Sequence, residues 1–146
     1  MSSLPTGQPH ATAETKPYWD ATGEGRIDLP RCKDCDLVIW YPREFCPDCQ
    51  TSEVEWQTMS GKATVYSYTV TRAGVGRKWR EHTPFVVAYV QLDEGPIMLT
   101  NIVDVDPDTV SIGMAVTAVF DAADVPEVRD GDDPVPPRAI VRFTAA

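Results

Sequence analysis

Histidine is scarce in this chain: only His10 and His82 occur among its 146 residues. Together with the lack of a Gly-x-Ser-x-Gly elbow, this leaves little material for a Ser-His or Cys-His nucleophile system. The Gly74-Val75-Gly76 stretch lacks the third glycine and the helix of a dinucleotide loop, and there is no P-loop. Carboxylates are plentiful, but no pair stands out as an acid and base, so independent catalysis is not expected. No segment is apolar for long enough to cross a bilayer. The opening stretch MSSLPTGQPHATAETK has neither a basic start nor an apolar run, so the expected compartment is the reducing cytoplasm. Basic charge is short as well: 13 Lys and Arg stand against 22 Asp and Glu, for a formal charge of -9. That balance argues against a general nucleic-acid binder. With 42% hydrophobic and 24% charged residues the composition is otherwise ordinary, sized for one compact domain or two small modules.

What the chain does have is four cysteines, all within Arg31 to Gln50, RCKDCDLVIWYPREFCPDCQ. They form two Cys-x-x-Cys pairs, Cys32/Cys35 and Cys46/Cys49, with ten residues between the inner members. Two intervening residues let a tight turn aim both sulfurs at one point, and two such turns complete a tetrahedral four-thiolate zinc site. Two other readings stand beside zinc: a pair of disulfides, which would normally accompany a signal peptide, and iron held by the same four sulfurs. Zinc is preferred because nothing nearby suggests a redox partner site. Arg31, Lys33 and Arg43 flank the pairs and are expected to offset their negative charge.

Charge is unevenly distributed. Residues 1–58 carry ten acidic side chains against five basic, and residues 83–137 carry eleven against one. Between them, Lys62, Arg72, Arg77, Lys78 and Arg80 face only Glu81. A local basic patch on an acidic body suits a small anionic ligand, because the surrounding field repels a long polyanion.

In chain order, residues 1–14 are rich in Ser, Thr, Pro and Gly and read as a mobile tail that includes His10. Residues 15–29 predict a short helix opened by Pro17 and stopped by Gly23 and Gly25, with Trp19 as a core anchor or a partner contact. Residues 30–57 form the ribbon, in which Leu37 to Tyr41 is a β-prone run. From 58 to 146 the pattern predicts strands at Gly61–Arg72, Phe85–Asp93, Ile97–Asp106, Ala115–Phe120 and Arg138–Phe143. In the first of these, Ala63, Val65, Ser67 and Thr69 alternate against Thr64, Tyr66, Tyr68 and Val70. Arg72–Thr83 reads as a glycine-containing basic loop, Pro107-Asp108 as a short helical turn, and 121–137 as an exposed acidic, proline-rich loop. The expected fold is mainly β: a helix, a zinc ribbon, and a small five-stranded barrel of the OB type.

The order of these features resembles a known family. Pro17-Tyr18-Trp19, the ribbon Cys32 to Cys49, Gly61 to Val70, Pro84 to Ala88, Asp106 to Asp108 and Ile112 to Met114 together look like the zinc-ribbon plus OB-fold proteins of "domain of unknown function 35". One departure lies in the knuckles: the family usually has glycine after the second cysteine of a pair, where the backbone turns left-handed, and this chain has Asp36 and Gln50. The resemblance implies a non-catalytic accessory subunit that binds or gates acyl-CoA. Its partner would be a thiolase-fold enzyme (thiolase, acyltransferase or retro-aldolase, as in steroid side-chain or other lipid degradation) or a hot-dog-fold hydratase. On that reading Arg72, Arg77, Lys78 and Arg80 meet the CoA phosphates and Trp79 stacks on adenine or packs on a partner; the bland alternative for the loop is a solvated turn or a salt-bridge contact. A single-stranded nucleic-acid binder using Tyr66, Tyr68 and Trp79 is the alternative from a different class, weakened by the acidic balance.

Overall fold

The computed structural model describes residues 4–125 and 131–146. Their backbone divides into two units, one built on residues 6–58 with 120–140 and the other on residues 59–119 with 141–146 and the residues before Thr6.

In the first unit α1 spans Lys16–Gly23, with Pro17 in its first turn and Tyr18, Ala21 and Thr22 buried. Proline is preorganised for that position and its missing N–H costs nothing there. The buried Thr22 hydroxyl donates to the Trp19 carbonyl at 2.7 Å and accepts from the Ala139 amide at 3.0 Å. Gly23 is the last residue of the helix, and nothing larger fits there: an added Cβ would lie 1.9 Å from the Pro137 carbonyl oxygen. Two short antiparallel strands follow, β1 (Asp28–Cys32) and β2 (Val54–Thr58), one entering the cysteine region and one leaving it. Neither strand was legible beforehand, since β1 is DLPRC with proline at its centre. Pro30 is tolerated because its backbone faces away from β2, toward a segment that makes only an isolated bridge to β1. Its carbonyl accepts from the Ile39 amide at 2.8 Å. The β-prone run Leu37–Tyr41 is not a strand: Val38 makes one isolated bridge to Arg31, and the rest of the run is irregular. Apolar composition there serves packing instead, with Ile39 buried against Cys32 and Cys46.

The second unit is a closed barrel of β3 (Lys62–Thr71), β4 (Phe85–Leu92), β5 (Ile97–Ile102), β6 (Ala115–Ala122) and β7 (Ala139–Ala145), in spatial order β3-β4-β5-β7-β6. The expected five-strand barrel is therefore present. Alternate residues of β4 and β5 (Val86, Ala88, Val90, Met98, Ile102) line its core with Phe143. The alternation expected for β3 holds only as far as Val65. A bulge between Val65 and Ser67 places one extra residue, Tyr66, on β3, and beyond it Ser67, Tyr68 and Thr69 are all exposed. A one-turn helix, α2 (Arg77–Arg80), interrupts what read as a plain basic loop. The expected turn at Pro107 is a 3-10 turn, Pro107–Thr109, capped by the Asp106 carboxylate.

Two expectations concern termini and loops. Residues 4–14, whose composition gave no fold, make specific bonds: Pro9 accepts from Arg138, and Leu4 and Pro5 accept from Arg142. Of the acidic stretch 121–137, Asp121 and Ala122 belong to β6 and Asp121 is buried, while residues 126–130 lie outside the described residues.

Phe143 is fully buried in the barrel. Replacing it with alanine is expected to destabilise the protein by about 3–5 kcal/mol in urea denaturation. Tyr66→Ser at the exposed bulge should change stability by less than about 0.5 kcal/mol.

Candidate metal centre and basic loop

The two cysteine turns are built alike, fourteen residues apart. Cys32 N–H donates to Leu37 O and Cys46 N–H to Thr51 O, both at 2.8 Å; Asp36 N–H returns to Cys32 O at 3.0 Å and Gln50 N–H to Cys46 O at 2.8 Å. Such turns need a left-handed residue after the second cysteine, and Asp36 (φ 63°) and Gln50 (φ 59°) adopt that conformation despite having side chains. Arg31 ties the first turn to the small sheet by ion pairs to Asp36 and Glu55. That corrects its expected role: its guanidinium is engaged by carboxylates rather than set against the thiolates. Lys33 and Arg43 are exposed.

The four Sγ atoms lie within 4.8 Å of one another, and those of Cys35 and Cys46 are 3.7 Å apart. A zinc ion with Zn–S bonds of ~2.3 Å requires sulfurs separated by ~3.8 Å. The donor set therefore fits a four-coordinate structural ion with no open position, the metal these cysteines would hold. Crowding pushes the Cys49 thiol up to about 12, first through its hydrogen bond with Cys35, then through desolvation and the charge of neighbouring thiolates. A divalent cation among the sulfurs reverses that preference. Cys32 and Cys46 are buried with Ile39, whereas Cys35 and Cys49 face outward.

An aromatic cluster in the same unit joins α1 to the ribbon. Tyr18, Trp40 and Tyr41 meet edge-on at centroid distances of 5.1–6.2 Å, Trp19 packs on Tyr18 at 5.0 Å, and Trp19 Nε1 donates to the Tyr41 hydroxyl at 3.1 Å. Burial raises the Tyr18 hydroxyl well above its ordinary pKa, helped by the charge of Tyr41.

The basic loop is divided by the structure. Arg77, Lys78 and Arg80 are exposed together on the single turn of α2. Arg72 is drawn aside into an ion pair with Asp108, a bond that exposure keeps weak. Trp79 is half-buried, its ring 5.0 Å from that of Phe85, so the face turned to Phe85 is closed to an adenine ring. Two open grooves lie on the barrel unit. One, of about 150 Å³, is lined by Leu4, His82, Phe85, Ile102, Val103 and Asp104 among others; the second, of about 170 Å³, runs over Tyr68, Val87, Tyr89 and Leu99. Sequence reasoning passed over the first because Leu4 sits in a stretch without pattern and the remaining residues are ordinary strand ends.

The comparisons with known proteins agree with this architecture. A profile described as "ChsH2, rubredoxin-like zinc ribbon domain" matches residues 19–55, and one described as "ChsH2, C-terminal OB-fold domain" matches residues 56–121. A DUF35 domain-containing scaffold protein of Methanocaldococcus jannaschii is 40% identical over 106 residues, covering 72% of both chains. A probable enoyl-CoA hydratase alpha subunit of Thermomonospora curvata is 33% identical over 109 residues, 73% of this chain and 33% of that one. Among solved structures, a chain of an Ltp2-ChsH2(DUF35) aldolase superposes with a TM-score of 0.74 at 25% identity, covering 94% of this chain and 98% of the other.

Metal analysis of the purified protein is expected to find one zinc per chain, with iron absent. Because the crowded thiols hold protons when no cation is present, zinc uptake must release them. Affinity should then fall as pH is lowered, by roughly tenfold per pH unit for each proton released, as read by competition with a chelator dye. Gln50→Gly removes a side chain from a left-handed position and is expected to raise stability by about 1 kcal/mol in thermal melts of the zinc form. Asp36→Gly should gain less, since it also loses the Arg31 ion pair.

Proposed function

Since this chain belongs to the DUF35 family of ChsH2-type zinc-ribbon and OB-fold proteins, we propose that it is a non-catalytic accessory subunit that docks on an acyl-CoA enzyme and binds or gates its substrate. The partner proposed is a thiolase-fold enzyme (thiolase, acyltransferase or retro-aldolase) or a hot-dog-fold hydratase, acting in lipid degradation. The names of the relatives support this reading, one being an aldolase complex and another a hydratase subunit.

The observation that carries the ligand assignment is the set of three exposed cations on α2, Arg77, Lys78 and Arg80, within an otherwise acidic chain. Cations in solvent are free to engage phosphate oxygens, Arg by paired N–H donors and Lys as a point charge. Arg72 can join them on leaving Asp108, and Trp79 contributes its free edge rather than a full stacking face. The grooves support a shared site. Each is smaller than the ~300 Å³ at which pockets begin to enclose a drug-sized ligand, so either holds only part of an acyl-CoA until a partner surface completes it. The chemistry belongs to the partner on this reading, because the cysteines are committed to metal and, among the described residues, no ion pair or hydrogen bond joins the His82 ring to an acidic side chain.

The test is CoA affinity of the wild type and of an Arg77→Ala/Lys78→Ala/Arg80→Ala variant, each alone and with the co-purified partner enzyme. The triple variant is expected to bind CoA at least roughly tenfold more weakly, the loss of about one charge-assisted contact. Unchanged affinity in both states would remove α2 from the ligand site.

A further inference from the structure

Along β4 the buried residues Val86, Ala88 and Val90 face the barrel core, so Phe85, Val87 and Tyr89 share the outer face of the strand. Their cover differs. Phe85 is 9% exposed, with the Trp79 ring 5.0 Å from its own, whereas Tyr89 is 48% exposed. Strand pairing sets Tyr89 between Ser67 of β3 and Leu99 of β5, and Val87 beside Thr69. Leu99 is 56% exposed, and these residues line the open groove of about 170 Å³. Among the described residues the Tyr89 ring meets no other aromatic ring, and the exposed Ser67 and Thr69 hydroxyls have no hydrogen-bond partner. The contact with Phe85 anchors Trp79, and with it α2, at one end of this outer stripe. Strand residues rise about 3.4 Å each, so Val87 lies about 7 Å and Tyr89 about 14 Å along β4 from that anchor.

We propose that this groove takes the adenine ring of a nucleotide whose phosphates are held by Arg77, Lys78 and Arg80, the nucleotide half of CoA. A purine needs a flat apolar surface under its face and hydrogen-bonding groups at its rim. Tyr89, Val87 and Leu99 supply the first, and the Ser67 and Thr69 hydroxyls supply the second. The cations of α2, near the other end of the same stripe, complement the phosphates. A hydrocarbon chain would use the apolar floor alone, leaving both the hydroxyls and the cations without a role. Trp79 then has a different part from stacking: closed on one side by Phe85, it fixes α2 against the sheet while the base lies further along. The proposal rests on the acyl-CoA reading for the phosphates on α2, and adds the place of the base.

The experiment titrates the full zinc-loaded chain calorimetrically with adenosine 3′,5′-bisphosphate, with ADP and with inorganic pyrophosphate. Tyr89→Ala is expected to weaken the bisphosphate at least roughly fivefold, the loss of one base–aromatic stack, and to leave pyrophosphate unchanged. Tyr89→Phe keeps the ring and is expected to bind as the wild type does, as is Tyr66→Ser at the bulge. Equal binding of the bisphosphate by wild type and Tyr89→Ala overturns the groove, as does an equal weakening of pyrophosphate or a wild type that does not bind the bisphosphate. Should Tyr89→Ala fail to melt cooperatively, Leu99→Ala on the neighbouring strand decides by the same comparison. ADP binding more tightly than the bisphosphate overturns the assignment to CoA, whose nucleotide carries the 3′-phosphate, in favour of a free nucleotide. Loss of co-purification with the partner enzyme in Tyr89→Ala, beside unchanged bisphosphate binding, makes the face a protein contact and also overturns the proposal. The two readings fail separately. An unaffected triple variant of α2 beside a weakened Tyr89→Ala removes the phosphate assignment alone, and the reverse pattern removes the adenine groove alone.

Discussion

Four sulfurs held within 4.8 Å of one another set the terms for the whole N-terminal unit. As thiols they compete for protons and hydrogen bonds, and as thiolates they repel; a divalent cation at their centre resolves both conflicts at once. Everything around them is arranged to deliver the sulfurs. The small sheet of β1 and β2 brings Cys32 opposite Val54. Some backbone amides close each turn, and the Cys49 amide is directed at the Cys46 sulfur at 3.4 Å. The apolar cluster packed on the sulfurs themselves is small, Ile39 with Leu37 and Val54, so the ion supplies much of the cohesion at that end of the unit.

That dependence explains which parts of the fold could be read in the sequence. Cysteine spacing is a geometric signal and survives translation into structure: all four predicted ligands converge. Strands β3 to β7 were also legible, because a closed barrel imposes an inside and an outside on every strand and the apolar pattern records it. The ribbon strands carry no such record. In β2 every residue after Val54 is exposed, and β1 contains Pro30, so neither shows period-two alternation or composition favouring a strand. Conversely Leu37 to Tyr41 looked like a strand because it is apolar and β-branched, yet its residues pack on cysteines and aromatic rings. Tertiary demand overrode local preference.

The candidate ligand site was partly legible. Clustering of Arg77, Lys78 and Arg80 follows from their adjacency in the chain and the structure keeps them exposed. Sequence could not separate Arg72 from the group, because its partner Asp108 is 36 positions away. Nor could it show that Trp79 is spent on Phe85, a contact set by the fold of the loop. The bonds of residues 4 and 5 were hidden more completely: a stretch of Ser, Pro, Thr and Gly carries no periodicity, and Arg142, next to core residues Val141 and Phe143 but on the other face of β7, reads as a surface residue until it is seen to donate to the Leu4 and Pro5 carbonyls.

The left-handed residues of the two turns carry a last implication, about cooperativity. Each costs on the order of 1 kcal/mol in a residue other than glycine, so neither turn has reason to hold its shape by itself. With only one pair of sulfurs engaged, that cost is met on one side and the other turn gains by relaxing. Metal occupancy and ribbon folding are thereby joined into a single event, and species with two sulfurs bound and two loose do not accumulate. Ion and ribbon then come as one unit: a chain carries its metal in a finished pair of turns or has neither.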